Sequence, residues 1–232
     1  MATQSVLTIV TGTLQFPFIA VSRIAERFNL WNVRTEVDRC LRVIDSFDRA
    51  IPSAFTAVLV AAEDHRSEIH AGVDPIAMIR ALFVRIRWNR IEGASTIEQQ
   101  LVRTVLGCYE RSIQRKLREQ AIAIAVSRQR NKRQIAIAYL SIAFYGSGCT
   151  GIAGLNRRCG GDLQNADRHT ILEMIARLKY PEPVIPTSLW RQKINQRVRY
   201  FEERMSIDNM PPSGPIDWRT VGRVRAATRL GN

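Results

Sequence analysis

Glu63 and Asp64 close the apolar run FTAVLVAA, and His65 and His70 follow within a few residues. A carboxylate beside an apolar helix is expensive to bury, so the pair requires a reason. It can serve as part of a metal site, as a helix end, or as a base ready to take a proton. Two histidines five positions apart do not share a helix face, which argues against zinc.

A second set occupies EGASTIEQQLVRTVLGCYERSIQRKLREQ, Glu92 to Gln120. Ser95 and Thr96 read as a loop feeding a helix, with Gln99 and Gln100 in its first turns. Arg103, Arg111, Arg115, Lys116 and Glu119 follow. Each has a plain structural account when taken singly: paired glutamines are usually solvated, and Arg115 with Glu119 at i,i+4 is a helix ion pair worth roughly 0.2–0.5 kcal/mol. As a set they stand in a cation-rich segment, which favours a localised anion site over a generally basic surface. The charge balance agrees: the chain carries +13 overall, and Ile76–Arg133 alone holds 13 Lys/Arg against 4 Asp/Glu. Nucleic acid, an anionic membrane surface and a phosphorylated substrate all fit such a balance. A solvated basic face fits it as well.

The elements that must position these groups are helical. Apolar residues recur at helical spacing over 37–51, 55–65, 75–90 and 112–130. Pro75 suits a first turn. The stretch 132–146 reads as a helix stopped by Gly146, and 170–181 as one opened by a Thr170–Glu173 capping box and closed by Pro181. A last helix is expected from about Thr187 to Met205. The glycines of 145–154 and 159–162 read as surface loops, and no strand is expected. The fold class is mainly α. Cys40, Cys108, Cys149 and Cys159 show no zinc-ligand spacing, and nothing requires a Cys149–Cys159 bridge. His169 reads as a surface residue at a helix start.

Met1–Ser22 carries no charged side chain and has about the ~20 residues a membrane-crossing helix needs. Its four threonines, two glutamines and Pro17 keep its hydropathy low. Arg23 and Arg27 lie on its C-terminal side, which by the positive-inside rule leaves the following domain in the cytoplasm. An interfacial segment, or a start lying further upstream, fits equally. IAMIRALFVRIRWNRI mixes Phe83 and Trp88 with Arg85, Arg87 and Arg90, a composition that suits either an interfacial helix or a half-buried helix with a solvated basic face.

Several motifs, in order, carry a resemblance. EDHRSEIHAGVD resembles the first motif of the family 51 glycosyltransferases, the peptidoglycan glycosyltransferases: an acidic pair, a spacer, a histidine and a glycine. GASTIEQQLVR is similar to the second, RKLRE to the third and KRQIAIAYLSIAFYG to the fourth. TILEMIARLKYPEP with RQKINQRVRYFEERM looks like the closing stretch. The resemblance covers about Phe47 to Met205. Departures from the pattern are Ser67 for Phe, Arg103 for Lys, Thr104 for Asn, Ser141 for Asn, and LNRRCGG at 155–161.

The resemblance implies a lysozyme-like helical domain with a second small, membrane-facing helical lobe. It implies polymerisation of lipid II with release of undecaprenyl diphosphate. Glu63 and Glu119 match the two essential carboxylates. Glu63 is the expected general base, its basicity raised by poor solvation. Asp64 would orient the helix end, and His70 would hold the loop. Ser95, Thr96, Gln99, Gln100, Arg103, Arg111, Arg115 and Lys116 are the expected substrate-binding residues. A divalent cation, Mg2+ or Mn2+, is implied, held mainly by the diphosphate, and no residue set is assigned as a metal site.

The implied partners are lipid II, the growing glycan chain, the membrane surface and other cell-wall synthesis proteins, without nucleic acid. The implied location is the outer, periplasmic face of the inner membrane. The expected organisation is a candidate anchor over 1–30, the glycosyltransferase domain over 31–205 and a proline-containing basic tail over 206–232. That tail is too short for a transpeptidase domain, so a monofunctional enzyme is expected. Three other readings compete, one of them nucleic-acid binding from charge alone, which has no recognisable module behind it. Paired carboxylates also serve a lysozyme-like hydrolase, although a neutral glycan has no diphosphate for the cations. The departures suit a catalytically weak scaffold that binds lipid II or glycan.

Overall fold

A computed structural model describes residues 2–47 and 50–205. The expected tail at 206–232, with its linker at 209–217, lies outside them. Among the described residues the chain forms α1 Ala2–Arg27, α2 Val33–Ser46, α3 Ser53–Glu63, α4 Pro75–Trp88, α5 Ile97–Leu106, α6 Ile113–Ser127 and α7 Lys132–Ile142. A hairpin of β1 Phe144–Gly146 and β2 Cys149–Thr150 follows, then α8 Gly151–Arg158, α9 Arg168–Arg177 and α10 Ser188–Arg204. The architecture is mainly α, as the periodicity predicts. Two compact units divide the chain, 1–48 with 66–139 and 49–65 with 140–232.

The first unit is built on α6, which packs against α1, α2 and α5. Every residue from Glu119 to Val126 is buried. A helix apolar on all sides belongs at a centre, and the small alanines of AIAIAV let its neighbours approach closely. The starts of α4, α5 and α6 are set by side-chain caps. Asp74 accepts from the Ala77 N–H, Thr96 from that of Gln99, and Ser112 from that of Arg115. Such caps satisfy amides that a helix start leaves orphaned. α4 buries only Pro75 and Ala77. Its larger apolar residues, Ile79, Leu82, Phe83, Ile86 and Trp88, are exposed.

The second unit is built on α3 and α9, which pack together, with α10 against α9. Phe55 to Val60 are all buried in α3, and Ile171, Leu172, Met174 and Ile175 supply the matching face of α9.

Several boundaries differ from the expected ones, each for a local reason. α2 starts at Val33 and stops at Ser46. Ile51 keeps the apolar rhythm going beyond that point because it is a core residue outside the helix. α7 ends at Ile142, and Gly146 is a strand residue. Gly146 has φ 137, and a Cβ there would sit 2.3 Å from the Glu182 nitrogen. Here the chain pairs with Glu182, whose N–H donates to the Tyr145 carbonyl at 3.0 Å. The expected loop at 145–154 is this hairpin followed by α8. α9 is opened by Asp167, which accepts from the Thr170 N–H at 3.0 Å, so no Thr170–Glu173 capping box forms. All four cysteines are unbridged.

Candidate active site

In the first unit the packing of α5 on α6 brings one carboxylate and three cations together. Glu119, 4% exposed, accepts from Arg103 through both oxygens, Nε at 3.0 Å and Nη2 at 3.1 Å. Arg115 donates from one turn earlier, and Lys116 Nζ lies 2.6 Å from Oε1. Ser95 Oγ accepts from Arg103 and from Lys116, each at 3.2 Å, and Gln99 accepts from Lys116. Three full charges share one carboxylate, so the cluster stays strongly positive once its own acid is counted. Such an excess of fixed positive charge is of the sign that holds an anion.

The titrations reflect the crowding. Burial drives the Glu119 carboxyl upward, but the hydrogen bonds from Arg103 and the charge of Lys116 outweigh it and hold its pKa below the usual range. The hydrogen bond to Glu119 raises Arg103. Lys116 moves the other way: burial and the neighbouring Arg103 and Arg115 charges lower it despite Glu119. Of the three cations, the ammonium is the one whose charge is least secure.

Other predicted residues stand nearby in different capacities. Thr96 is buried, and its hydroxyl donates to the Gly72 carbonyl at 2.7 Å while capping α5. Gln100 is half-buried in the first turn of α5. Arg111 is exposed on the loop before α6 and takes no part in the Glu119 cluster. His70 is buried, and its Nδ1 accepts from the Gly72 N–H at 3.2 Å. Gly72 has φ 95, and a Cβ there would lie 2.7 Å from the Ala123 carbonyl oxygen, so only glycine lets this loop rest on α6.

In the second unit Glu63 is the last residue of α3 and is half-buried. Its carboxylate pairs with Arg197 of α10, 134 positions away. Poor solvation therefore comes with a cationic partner. Asp64 is buried at the C-cap of α3, where its N–H donates to the Val60 carbonyl at 3.0 Å.

The sequence reading missed three groups. Arg197 sits inside the quoted closing stretch, but nothing local marks its partner. Glu98, in the first turn of α5, is 1% exposed and paired with Lys132. Burial drives the Glu98 carboxyl upward, and the charge of Lys132, with its hydrogen bond, helps bring it below its ordinary value. Asp74, which caps α4 and binds Arg66 at 2.7 Å, carried a usable signal: an acid immediately before a proline opening a helix.

The sequence matches the family model described as Transglycosylase over residues 36–206. The chain belongs to the transglycosylase family. Penicillin-binding protein 1A of Rickettsia prowazekii is 34% identical over 165 residues, 68% of this chain and 21% of that protein. Penicillin-binding protein 1A of Aquifex aeolicus is 39% identical over 103 residues, 44% of this chain and 14% of its own length. Penicillin-binding protein 4 of Bacillus subtilis is 34% identical over 112 residues, 48% and 18% of the two chains. This transglycosylase domain thus spans about a fifth or less of the curated relatives it matches.

Among the transglycosylase motifs, the substitution at Arg103 leaves the cluster intact, because a guanidinium grips both carboxylate oxygens where an ammonium would be a point charge. Two other departures leave polar atoms unsatisfied: Ser67 and Ser141 are buried with hydroxyls that find no protein partner. The cluster is not a cage for a divalent cation. Its one carboxylate is already engaged by three cations, and hard ions need several free oxygens.

Proposed function

We propose that the chain is a peptidoglycan glycosyltransferase that polymerises lipid II. The 4-hydroxyl of the acceptor sugar attacks the anomeric carbon of the growing chain with inversion, the C–O bond to undecaprenyl diphosphate breaks, and the diphosphate leaves. Glu63 takes the hydroxyl proton, a role worth roughly 10²–10⁴-fold. Arg197 holds the Glu63 carboxylate in place. Arg103, Arg115 and Lys116 meet the charge that develops on the diphosphate, with Ser95 and Gln99 fixing their geometry and Glu119 keeping three like charges together. Arg111 adds to the field from its exposed loop. A divalent cation, Mg2+ or Mn2+, would ride on the diphosphate and supply further charge neutralisation.

The observation that carries this reading is the excess of positive charge fixed around Glu119 in a transglycosylase-family chain. A hydrolase of neutral glycans has no use for it.

The membrane enters through α1 and α4. α1 is long and apolar enough to cross a membrane, and its amphipathicity is inverted. Thr11, Gln15 and Ser22 are buried, whereas Ile9, Val10, Phe16, Val21 and Ile24 are exposed. An exposed apolar face on α1, with another on α4 among arginines, suits an anionic bilayer around this unit. We assign 1–30 to membrane attachment and 31–205 to the glycosyltransferase domain, on the outer face of the cytoplasmic membrane; that side follows from the glycosyltransferase reading, against the cytoplasmic side that Arg23 and Arg27 give by the positive-inside rule.

The test is lipid II polymerisation by the purified chain with Mg2+ or Mn2+, beside Glu63→Gln. Glycan strands from the wild type and none from the variant are expected. Equal turnover by both proteins overturns the assignment of the base. Binding of lipid II without product from either would make the chain a scaffold.

A further inference from the structure

Gln15 lies midway along α1, 5% exposed, and binds the backbone of the loop that holds His70. Its Nε2 donates to the Ile69 carbonyl at 3.3 Å, and its Oε1 accepts from the Ala71 N–H at 3.0 Å. The two partners are 54 and 56 positions away and bracket His70 on either side. A carbonyl oxygen can only accept and an N–H can only donate, so the amide has one workable orientation. A neutral side-chain amide offers that donor–acceptor pair from one group.

The loop is held from other sides too. Lys132 Nζ donates to the His70 carbonyl at 2.9 Å. The Gly72 carbonyl takes the Thr96 hydroxyl at 2.7 Å, and Thr96 opens the helix that carries Arg103. Farther along α1, Ser22 Oγ donates to the Ala121 carbonyl at 2.8 Å, two residues beyond Glu119. A continuous path of hydrogen bonds and backbone thus runs from α1 through residues 69–72 and Thr96 to α5 and the Glu119 cluster.

We propose that Gln15 is a positioning residue for the transfer reaction, and that it makes the geometry of the cationic cluster depend on how α1 is seated. The proposal rests on the glycosyltransferase reading. α1 is then a working part of the site as well as its attachment: a helix whose outer face meets lipid and whose inner amide sets the loop beside the anion site. Gln15 acts through the loop and is not expected to touch the substrate.

The experiment uses the full chain in phosphatidylglycerol-containing nanodiscs, with Gln15→Leu and Gln15→Glu. Lipid II turnover is measured across pH, and amide exchange is measured over residues 66–74. Loss of both hydrogen bonds predicts that Gln15→Leu speeds exchange at Ala71 and lowers kcat, each by about tenfold, with KM little changed. Gln15→Glu separates positioning from mere packing. Its carboxyl can donate to Ile69 only when protonated, and its carboxylate faces a carbonyl oxygen. The ratio of its kcat to that of wild type should therefore rise as pH falls. Lys132, Glu98, His70 and the Arg66–Asp74 pair surround this loop in both proteins, so the ratio isolates position 15.

Wild-type exchange and kcat in Gln15→Leu overturn the proposal and leave the transferase reading standing. So does a loss of Tm with kcat and KM moving together and a flat Gln15→Glu ratio, because that is a structural role. A wild-type chain that makes no glycan overturns the transferase reading and positioning for it, and is recognised without reference to any Gln15 variant.

Discussion

At the scale of residues, the cluster around Glu119 distinguishes its members by chemistry. A guanidinium such as that of Arg103 stays charged at any working pH, whereas Lys116, half-buried beside two guanidinium groups, holds its proton less firmly than a free lysine. An ammonium binds an anion below its pKa and loses that power as pH rises through it. Turnover should therefore fall at alkaline pH, and Lys116→Arg should move that limb to higher pH while keeping the neutral rate within about tenfold. An unmoved limb would assign the titration to another group. Glu119 has the opposite sign. Its lowered pKa contributes stability that is present above the ordinary carboxylate range and is lost as pH falls through the folded value.

The element scale is governed by caps, and two of them can be compared directly. Asp167 caps α9 on the surface, its carboxylate accepting from the Thr170 N–H and hydroxyl. Thr96 caps α5 and also holds the Gly72 carbonyl. Asp167→Ala should cost about 1 kcal/mol with activity unchanged. Thr96→Val removes a cap and leaves a buried carbonyl unpaired, which should cost about 2–3 kcal/mol and lower kcat as well. Urea denaturation of both variants, beside their turnover, checks the pair. A Thr96→Val protein no less stable than Asp167→Ala would mean that the loop at 69–74 does not lean on α5. α4 shows that a helix can be legible in position and ambiguous in role. Asp74 and Pro75 announce its start, but only the structure shows that its large apolar side chains face outward.

For the whole molecule, the exposed faces of α1 and α4 and the net charge of +13 point to the same surroundings. Ile86 is 76% exposed and Phe83 58%. Burying one such side chain in a bilayer is worth about 1.5–3 kcal/mol. Phe83→Glu with Ile86→Glu should weaken binding to phosphatidylglycerol vesicles by roughly a hundredfold or more while leaving helix content unchanged. Co-sedimentation and circular dichroism measure the two quantities. Undiminished sedimentation would assign these faces to a protein partner.

What the sequence determined by itself was the helical class, most helix positions, and a set of candidate residues for binding an anion. Periodicity, caps and motif order are local properties, and Glu63, Glu119 and the cations near Glu119 are recognisable from them. The strand at Gly146, the burial of Ser67 and Ser141, and the end of α2 at Ser46 were decided by packing and by a backbone pairing to Glu182, neither of which has a local signature. Only the tertiary structure joined Glu63 to Arg197, Glu98 to Lys132 and Gln15 to the loop at His70. Each of those bonds spans more than thirty positions. A side chain reveals its chemistry in the sequence, but its partner is chosen by how the helices fold onto one another.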